Sequence, residues 1–515
     1  MTSYDEIPYN SQPFPQSHPD RLATTARLFG LDPPALQGAR VLELGCAAGG
    51  NLIPVAAAFP ESRCIGIDLS PRQVADGQKV VDALGLKNIE LRAQSILDIN
   101  DAGPFDYIVC HGVYSWVPPE VQQRILAICG ERLAAQGVAY VSYNTYPGWY
   151  LRGGIRQMML FHTRNLKEPL ARVRQARALL EFLSRSAKSP DKSPYAAMLN
   201  SELKVVQDAK DHYLLHEHLE DFNEPVFFYQ FMERAAAHRL RYLGEADIAV
   251  MKPVDFGQDV RETLNRVSAD RLQLEQYLDF LRNRLFRQTL LCRAEVEPRY
   301  PADPSALEDF HVVCRGTAPA GANPASEGPL EIKGLAGSVA TVRNPLVKAA
   351  FLSLIDAYPR NIRFADLAAL AQRRLRPDAT EGPTPADREQ LAQSLLHIYG
   401  SSLGLLGLHR YPPAVAGTVS ERPVAAPLAR LLARNGGAVT TAYHENQMFG
   451  PAALYLLPYL DGTRDHAALE EILAAAFDSG AVKPDAGAPA DAREAAKARL
   501  GQVLQRVCRG AVLTA

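Results

Sequence analysis

Between residues 40 and 144 the chain alternates two kinds of pattern. Short segments rich in apolar and β-branched or aromatic residues stand at 41–44, 64–68, 89–93, 105–110 and 137–143. Between them, helix is expected at 51–59, with Pro54 near its first turn, and at 119–134, where apolar positions recur every three to four residues. The first kind predicts strands and the second amphipathic helices. The run Phe105-Asp106-Tyr107-Ile108-Val109-Cys110 is apolar enough for a strand covered on both faces. Ser70-Pro71 marks a helix start, with a side-chain cap followed by proline in the first turn. Strand–helix–strand alternation of this kind predicts a parallel, doubly wound sheet with right-handed crossovers. Ligands of such sheets sit at the carboxyl ends of the strands, near the point where the strand order reverses.

Beyond residue 150 the period changes. Residues 151–212 read as helix, interrupted at Ser189-Pro190 and Ser193-Pro194, and 224–239 as another helix. A short strand is expected at 239–243 and a longer one at 286–293, with helix over 260–282 between them. We read these two strands as a hairpin completing the sheet; the alternative is an independent helical domain over about 210–300. Four units result: an α/β core over 1–165 and a helical cap over 166–297 that lends the last two strands; a Pro-, Ala- and Gly-rich linker over 298–345; and a mostly helical region over 346–515. Helices at 347–358, 364–374 and 390–403, followed by an extended stretch at His409, give the last region a winged-helix-like pattern. Recognition of a substrate, or dimerisation, is its most economical role.

Composition narrows the field. A net charge of -2 over 515 residues argues against bulk nucleic-acid binding. Seven cysteines form no Cys-x-x-Cys pair, which fits a reducing cytoplasm better than a disulfide framework or a zinc ribbon. No signal-peptide pattern stands at the N-terminus, and no apolar run approaches the length needed to span a bilayer. His212, His216 and His218 have the spacing of metal ligands on one helix, but no matched further ligand accompanies them, so no metal is expected.

The chemistry concentrates after the strands. Glu43-Leu44-Gly45-Cys46-Ala47-Ala48-Gly49-Gly50-Asn51 joins the first strand to its helix through a glycine turn, and Asp68 ends the second strand. An acid there is placed to accept from ribose hydroxyls. Glycine turns that bind dinucleotides put pyrophosphate on the helix N-terminus. An acid two residues before the first glycine would instead repel phosphate and attract a cation. S-adenosyl-L-methionine, with its ammonium and sulfonium, fits. The N-terminal aromatics Tyr4, Tyr9, Phe14 and His18 form either an exposed arm or a lid over the sulfonium. Gln94-Ser95-Ile96 follows the third strand, His111-Gly112-Val113-Tyr114-Ser115-Trp116 the fourth, and Tyr143-Asn144-Thr145-Tyr146-Pro147-Gly148-Trp149 the fifth. Both tryptophans of the chain lie in these loops, which makes them the candidate acceptor pocket.

Glu43-x-Gly45-x-x-x-Gly49 resembles motif I of the class I methyltransferases that use S-adenosyl-L-methionine. The N-terminal aromatics, the loops at 111–118 and 142–149, Asn223-Glu224-Pro225-Val226-Phe227-Phe228 and residues 280–289 together resemble bacterial methyltransferases carrying a methyltransferase regulatory domain. That group includes outer-membrane-protein lysine methyltransferases. The resemblance implies a Rossmann-like sheet, a protein substrate such as an envelope protein met before export, and a homodimer. We expect Tyr9, Glu43, Gly45, Cys46, Asn51, Asp68, Leu69, Ser95, Ile96 and His111 to bind cofactor. Tyr114, Trp116, Tyr143, Asn144 and Trp149 are expected to hold the acceptor, with His111 against the cofactor rather than acting as a base. The lysine acceptor is implied by the resemblance alone. A small-molecule acceptor, or a cofactor-binding protein without turnover, remains open at this point.

Overall fold

A computed structural model of the chain describes residues 11–100, 103–186, 193–334, 337–378, 381–401, 403–485 and 487–514, excepting the side chain of His212. Tyr4 and Tyr9 therefore lie outside the described residues. The first helix, α1 (Pro19–Leu28), starts where His18 accepts the Asp20 amide at 3.2 Å and ends before Gly30, whose φ is 84°.

Seven strands make the central sheet. They are β1 (Arg40–Leu44), β2 (Arg63–Asp68), β3 (Ile89–Ala93), β4 (Phe105–Cys110), β5 (Leu133–Asn144), β6 (Leu240–Glu245) and β7 (Phe286–Arg293). Their order is β3-β2-β1-β4-β5-β7-β6, with β7 antiparallel to both neighbours and the remaining pairs parallel. The expected hairpin is therefore present, with β7 inserted between β5 and β6. The order reverses between β1 and β4, so the ends of these two strands bound the crevice where a ligand can lie.

The apolar runs sit where two-sided burial requires them. Val41, Leu42 and Leu44 of β1, and Tyr107, Ile108, Val109 and Cys110 of β4, are all buried. Helices α2 (Leu52–Ala58), α3 (Pro71–Leu84) and α4 (Pro119–Arg132) return the chain between strands. Ser70 caps α3 through the Gln73 amide, and Gly85, with φ 65°, closes it.

Between β5 and β6 stand α5 (Gly148–Thr163), α6 (Pro169–Ser186), α7 (Pro194–Asp208), α8 (Asp211–His218) and α9 (Phe228–Ala237). The first four share an apolar core of their own, built around Ile155, Met159, Leu180, Leu199 and Leu215. Between β6 and β7, α10 (Gln258–Val267) and α11 (Arg271–Arg282) replace the single helical stretch expected there. Asp270 caps α11 by accepting the Gln273 amide. The hairpin is fastened by a buried ion cluster. Arg287 on β7, with no exposed surface, reaches Glu245 at 2.6 Å, Asp279 at 2.8 Å and Glu275 at 3.1 Å.

The span expected to be a linker, 298–345, folds. It holds β8 (His311–Cys314), β9 (Leu330–Lys333) and β10 (Val339–Val342). Lys348 explains how so proline- and glycine-rich a loop is held. This side chain is fully buried and donates to the carbonyls of Ser326 and Gly328 at 2.7 and 2.5 Å. β8 is the middle of a three-stranded sheet with β11 (Ile362–Arg363) and β12 (Leu406–His409). Helices α12 (Pro345–Ala357), α13 (Phe364–Leu375) and α14 (Pro385–Tyr399) pack with this sheet, and their apolar faces join the core of the seven-stranded sheet. A separate core over 425–513 gathers α15 (Pro427–Arg434), α16 (Pro451–Leu456), α17 (His466–Asp478) and α18 (Ala492–Arg509).

Candidate active site

One cavity of about 470 Å³ opens over the carboxyl ends of β1, β2 and β4 and runs out to the cap. Of the residues expected to bind cofactor, Glu43, Gly45, Cys46, Asn51, Asp68, Leu69, Ser95, Ile96 and His111 line it. Of those expected at the acceptor, Trp116, Asn144 and Trp149 do.

The turn after β1 is shaped by close approach. Gly45 has φ 78°, and a Cβ there would lie 2.4 Å from Val113 Cγ2, so only glycine lets the β4 loop pass over it. Ala47, with φ 49°, also adopts the left-handed conformation. Its amide donates to Asp68 Oδ2 at 2.8 Å, while Asp68 Oδ1 accepts from Ser70 at 2.9 Å. Two backbone amides thus fix the carboxylate at the end of β2. Gly50 serves the arm: its amide donates to Ser11 Oγ at 2.7 Å, and a Cβ there would fall 2.5 Å from the Ser11 backbone. Phe14, whose amide donates to Asn51 Oδ1 at 2.9 Å, lies against His111 with ring centroids 3.9 Å apart. The described end of the arm therefore does cover the cavity.

Asn51 is the hub of the wall. Its Nδ2 donates to Glu43 Oε1 at 2.8 Å, and its Oδ1 lies 2.8 Å from Nε2 of His444, far along the chain. His444 in turn packs against His18 at 4.7 Å between centroids. Burial holds His18 down at about 4 and His444 well below the usual histidine value, so both are neutral at pH 7. Glu43 is 3% exposed, and its Oε2 has no hydrogen-bond partner among the described residues. Desolvation pushes its carboxyl up to about 7, with the Asp68 charge adding to the rise and the Asn51 bond opposing it. An orphaned acid and a held carboxylate across one cavity suit a cationic cofactor and disfavour a pyrophosphate. His111 is also pushed down to about 4 by burial, and its Nδ1 lies 2.7 Å from the Tyr140 hydroxyl. It is a neutral wall of the cavity.

The outer half is aromatic. Trp116 and Trp149 meet edge to face at 6.1 Å, and the Arg152 guanidinium lies 5.8 Å from the Trp149 ring. Asn144 donates from Nδ2 to Asn223 at 3.0 Å.

Tyr114 and Tyr143 lie elsewhere. Successive residues of a strand face opposite sides, so with Asn144 at the cavity Tyr143 faces the other layer. There it stacks on Phe231 at 4.0 Å and meets Thr289 at 3.1 Å. Tyr114 opens the tight turn Tyr114–Trp116 and is fully buried, edge-on to Phe231 at 5.3 Å. Tyr146 stacks on Tyr150 at 4.2 Å, outside the cavity lining. In their place the structure brings in Phe286 from β7, Arg152 from α5, and Tyr213, His216 and Glu217 from α8. Sequence reading marked α8 for its histidines. His216 and His218 are instead taken by Glu220 at 3.0 Å and Glu202 at 2.9 Å.

Comparison with known proteins agrees with this layout. The family described as "Methyltransferase domain" matches residues 42–139, "Predicted methyltransferase regulatory domain" residues 210–293, and "PKMT, C-terminal winged helix domain" residues 421–512. The winged-helix match thus falls on the last lobe, beyond the three helices whose pattern suggested it. Two uncharacterized proteins of Rickettsia prowazekii are similar. RP789 is 43% identical over 60% of this chain and 56% of its own length, so the chain matches little more than half of that relative. RP028 is 43% identical over 45% of this chain and 93% of its own length. Among solved structures, PKMT2 from Rickettsia typhi superposes with a TM-score of 0.87 at 31% identity, covering 99% of this chain and 100% of that one. The same protein in complex with AdoHcy gives 0.86 at 30% identity, over 98% and 100%. The chain belongs to the PKMT family, in which a methyltransferase domain using S-adenosyl-L-methionine is joined to a methyltransferase regulatory domain and a C-terminal winged helix domain.

Proposed function

We propose that this chain is a protein N-methyltransferase that places the methyl group of S-adenosyl-L-methionine on lysine side chains. The observation that carries the reading is the continuity of the cavity. Its inner end presents Glu43 and Asp68, and its outer end an aromatic slot formed by Trp116 and Trp149. The cofactor supplies an activated methyl on a sulfonium. The residues of this chain supply placement: Asp68 for the ribose, Glu43 for the positive end, Leu69, Ser95 and Ile96 for the base, and Phe14 with His111 as a water-excluding wall. An in-line displacement needs this alignment more than it needs covalent help. An aromatic slot favours a long apolar stem ending in an amine, and its low polarity disfavours the ammonium form.

The acceptor we propose is an extended segment of protein, such as an envelope protein met in the cytoplasm before export. No described helix is long and apolar enough to cross a membrane. We further propose that the cap helices pair two copies of the chain. Leu151, Phe161 and Phe182 expose 51, 66 and 59% of their surface, a concentration of bare apolar side chains on one small bundle. The test of the main reading is incubation with methyl-labelled cofactor and a cell lysate, followed by size fractionation and hydrolysis. Label recovered as N-methyl-lysine from protein is expected. Label confined to small molecules, or no transfer to any fraction, overturns it.

A further inference from the structure

Glu217 stands out among the cavity residues because no described side chain hydrogen-bonds to it. It sits on α8 one turn after Tyr213, so the two share a helix face, and both line the outer half of the cavity with Trp116, Asn144 and Trp149. The nearby cation, Arg152, is already engaged: its Nε lies 3.0 Å from Glu202 Oε1, which also takes His218 at 2.9 Å. His216 is paired with Glu220. Glu217 therefore has no hydrogen-bond partner among the described residues, and it faces an aromatic slot. Asn144 adds a second acceptor there, because its Nδ2 is committed to Asn223 and its Oδ1 is not.

We propose that Glu217 is the anionic anchor for the acceptor amine: it pairs with the lysine ammonium in the Trp116–Trp149 slot and takes its proton before methyl transfer. This deepens the lysine reading and rests on it. The step balances. The ammonium gives a proton to the carboxylate, leaving a neutral amine and a carboxylic acid. The amine lone pair forms the new N–C bond as the S–C bond breaks with its electron pair retained on sulfur. The product is a methylated ammonium with a neutral thioether, and the acid afterwards releases its proton to solvent. Burial pushes the Glu217 carboxyl up to about 7, against the opposing pull of Arg152 and His216, which brings it closer to an amine than an exposed carboxylate would be. The anchor comes from the segment that matches the regulatory domain, so that domain would complete the acceptor site.

The test uses the full chain loaded with AdoHcy and two probes, N-acetyl-lysine methylamide and its norleucine analogue, which lacks the amine. Binding is followed by tryptophan fluorescence. Glu217→Gln, which removes charge from a partner-free group, is expected to weaken the lysine probe at least tenfold and leave the norleucine probe and cofactor affinity unchanged. In turnover, kcat/KM of the variant should fall by roughly 100-fold at pH 8, within the range of a lost proton acceptor. It should then rise about tenfold per pH unit toward the lysine pKa, where the unaltered enzyme is flat. Glu217→Asp should restore the flat profile at a lower rate. Equal probe binding and a flat profile in Glu217→Gln overturn the anchor, as does an unaltered protein that does not bind the lysine probe. Glu217-dependent probe binding without label in any protein would instead leave the anchor standing and overturn the lysine-methylation reading.

Discussion

Replacing Glu43 with Gln separates the charge of the cofactor wall from its shape. In the free protein Glu43 pays for burial. Its carboxyl rises from an ordinary 4.5 to about 7, a difference that corresponds to about 3 kcal/mol between the two protonation states. For a carboxyl raised on folding, that cost is absent below pH 4.5, grows as pH climbs between 4.5 and 7, and is complete above 7. A cation beside Glu43 reverses the balance and draws the pKa down again. At pH 6 about nine-tenths of the free protein carries the acid protonated, and the cofactor must expel that proton. Relative to Glu43→Gln, cofactor affinity of the unaltered protein should fall about tenfold from pH 8 to pH 6; the ratio cancels the ionisation of the ligand itself. At pH 8 the variant should bind about 10- to 100-fold more weakly, the value of a charge-assisted contact. Without cofactor, the variant should resist urea better than the unaltered chain at pH 8 and no better at pH 4. Trp116 and Trp149, the only tryptophans, report on this lobe in both assays. Parallel affinity curves for the two proteins between pH 6 and 8, or equal affinity at pH 8, would refute the argument.

Three other outcomes are expected. Gly50→Ala places a methyl 2.5 Å from the Ser11 backbone, so the arm must lift; cofactor affinity should drop while the urea midpoint of the lobe holds, as read by titration and by faster proteolysis near residue 14. Arg287→Met strands Glu245, Glu275 and Asp279 without their shared cation; a loss of about 3–5 kcal/mol in urea unfolding is expected. Asp68→Ala removes the acceptor held by the Ala47 and Ser70 amides, and calorimetry should show cofactor binding weakened by at least about 100-fold, two charge-assisted contacts' worth.

The inner strands β1, β2 and β4 are legible because they are mostly buried on both faces, so their largely apolar sequences need no neighbour to interpret. β7 is legible over Phe286–Arg293 through its apolar stretch Leu290–Cys292, although it also carries Arg287, Gln288 and Arg293. β8 is not, because four residues in a Pro- and Gly-rich span carry no period, and the strand exists through its partners β11 and β12. At the site, Glu43 and Asp68 announce themselves by their place beside glycines and strand ends. Tyr143 and Asn144 show the limit of loop reading: adjacent residues at a strand end face opposite layers, and only register decides which one meets the cavity. Glu217 left no mark, since its meaning depends on α8 lying over loops more than 60 residues earlier in the chain.

The contact between His444 and Asn51 also sets a schedule. The two residues are 393 positions apart, yet they share one hydrogen bond at the wall of the cavity. A ribosome adding about 5–20 residues per second needs roughly 20–80 s to travel from one to the other. From the synthesis of Trp149 onward the nascent chain carries the residues of the glycine turn, Asp68 and both tryptophans, but not the His444 side of the wall. The wall is complete only once the lobe carrying His444 has docked, so assembly of the cavity waits on a separation of 393 residues.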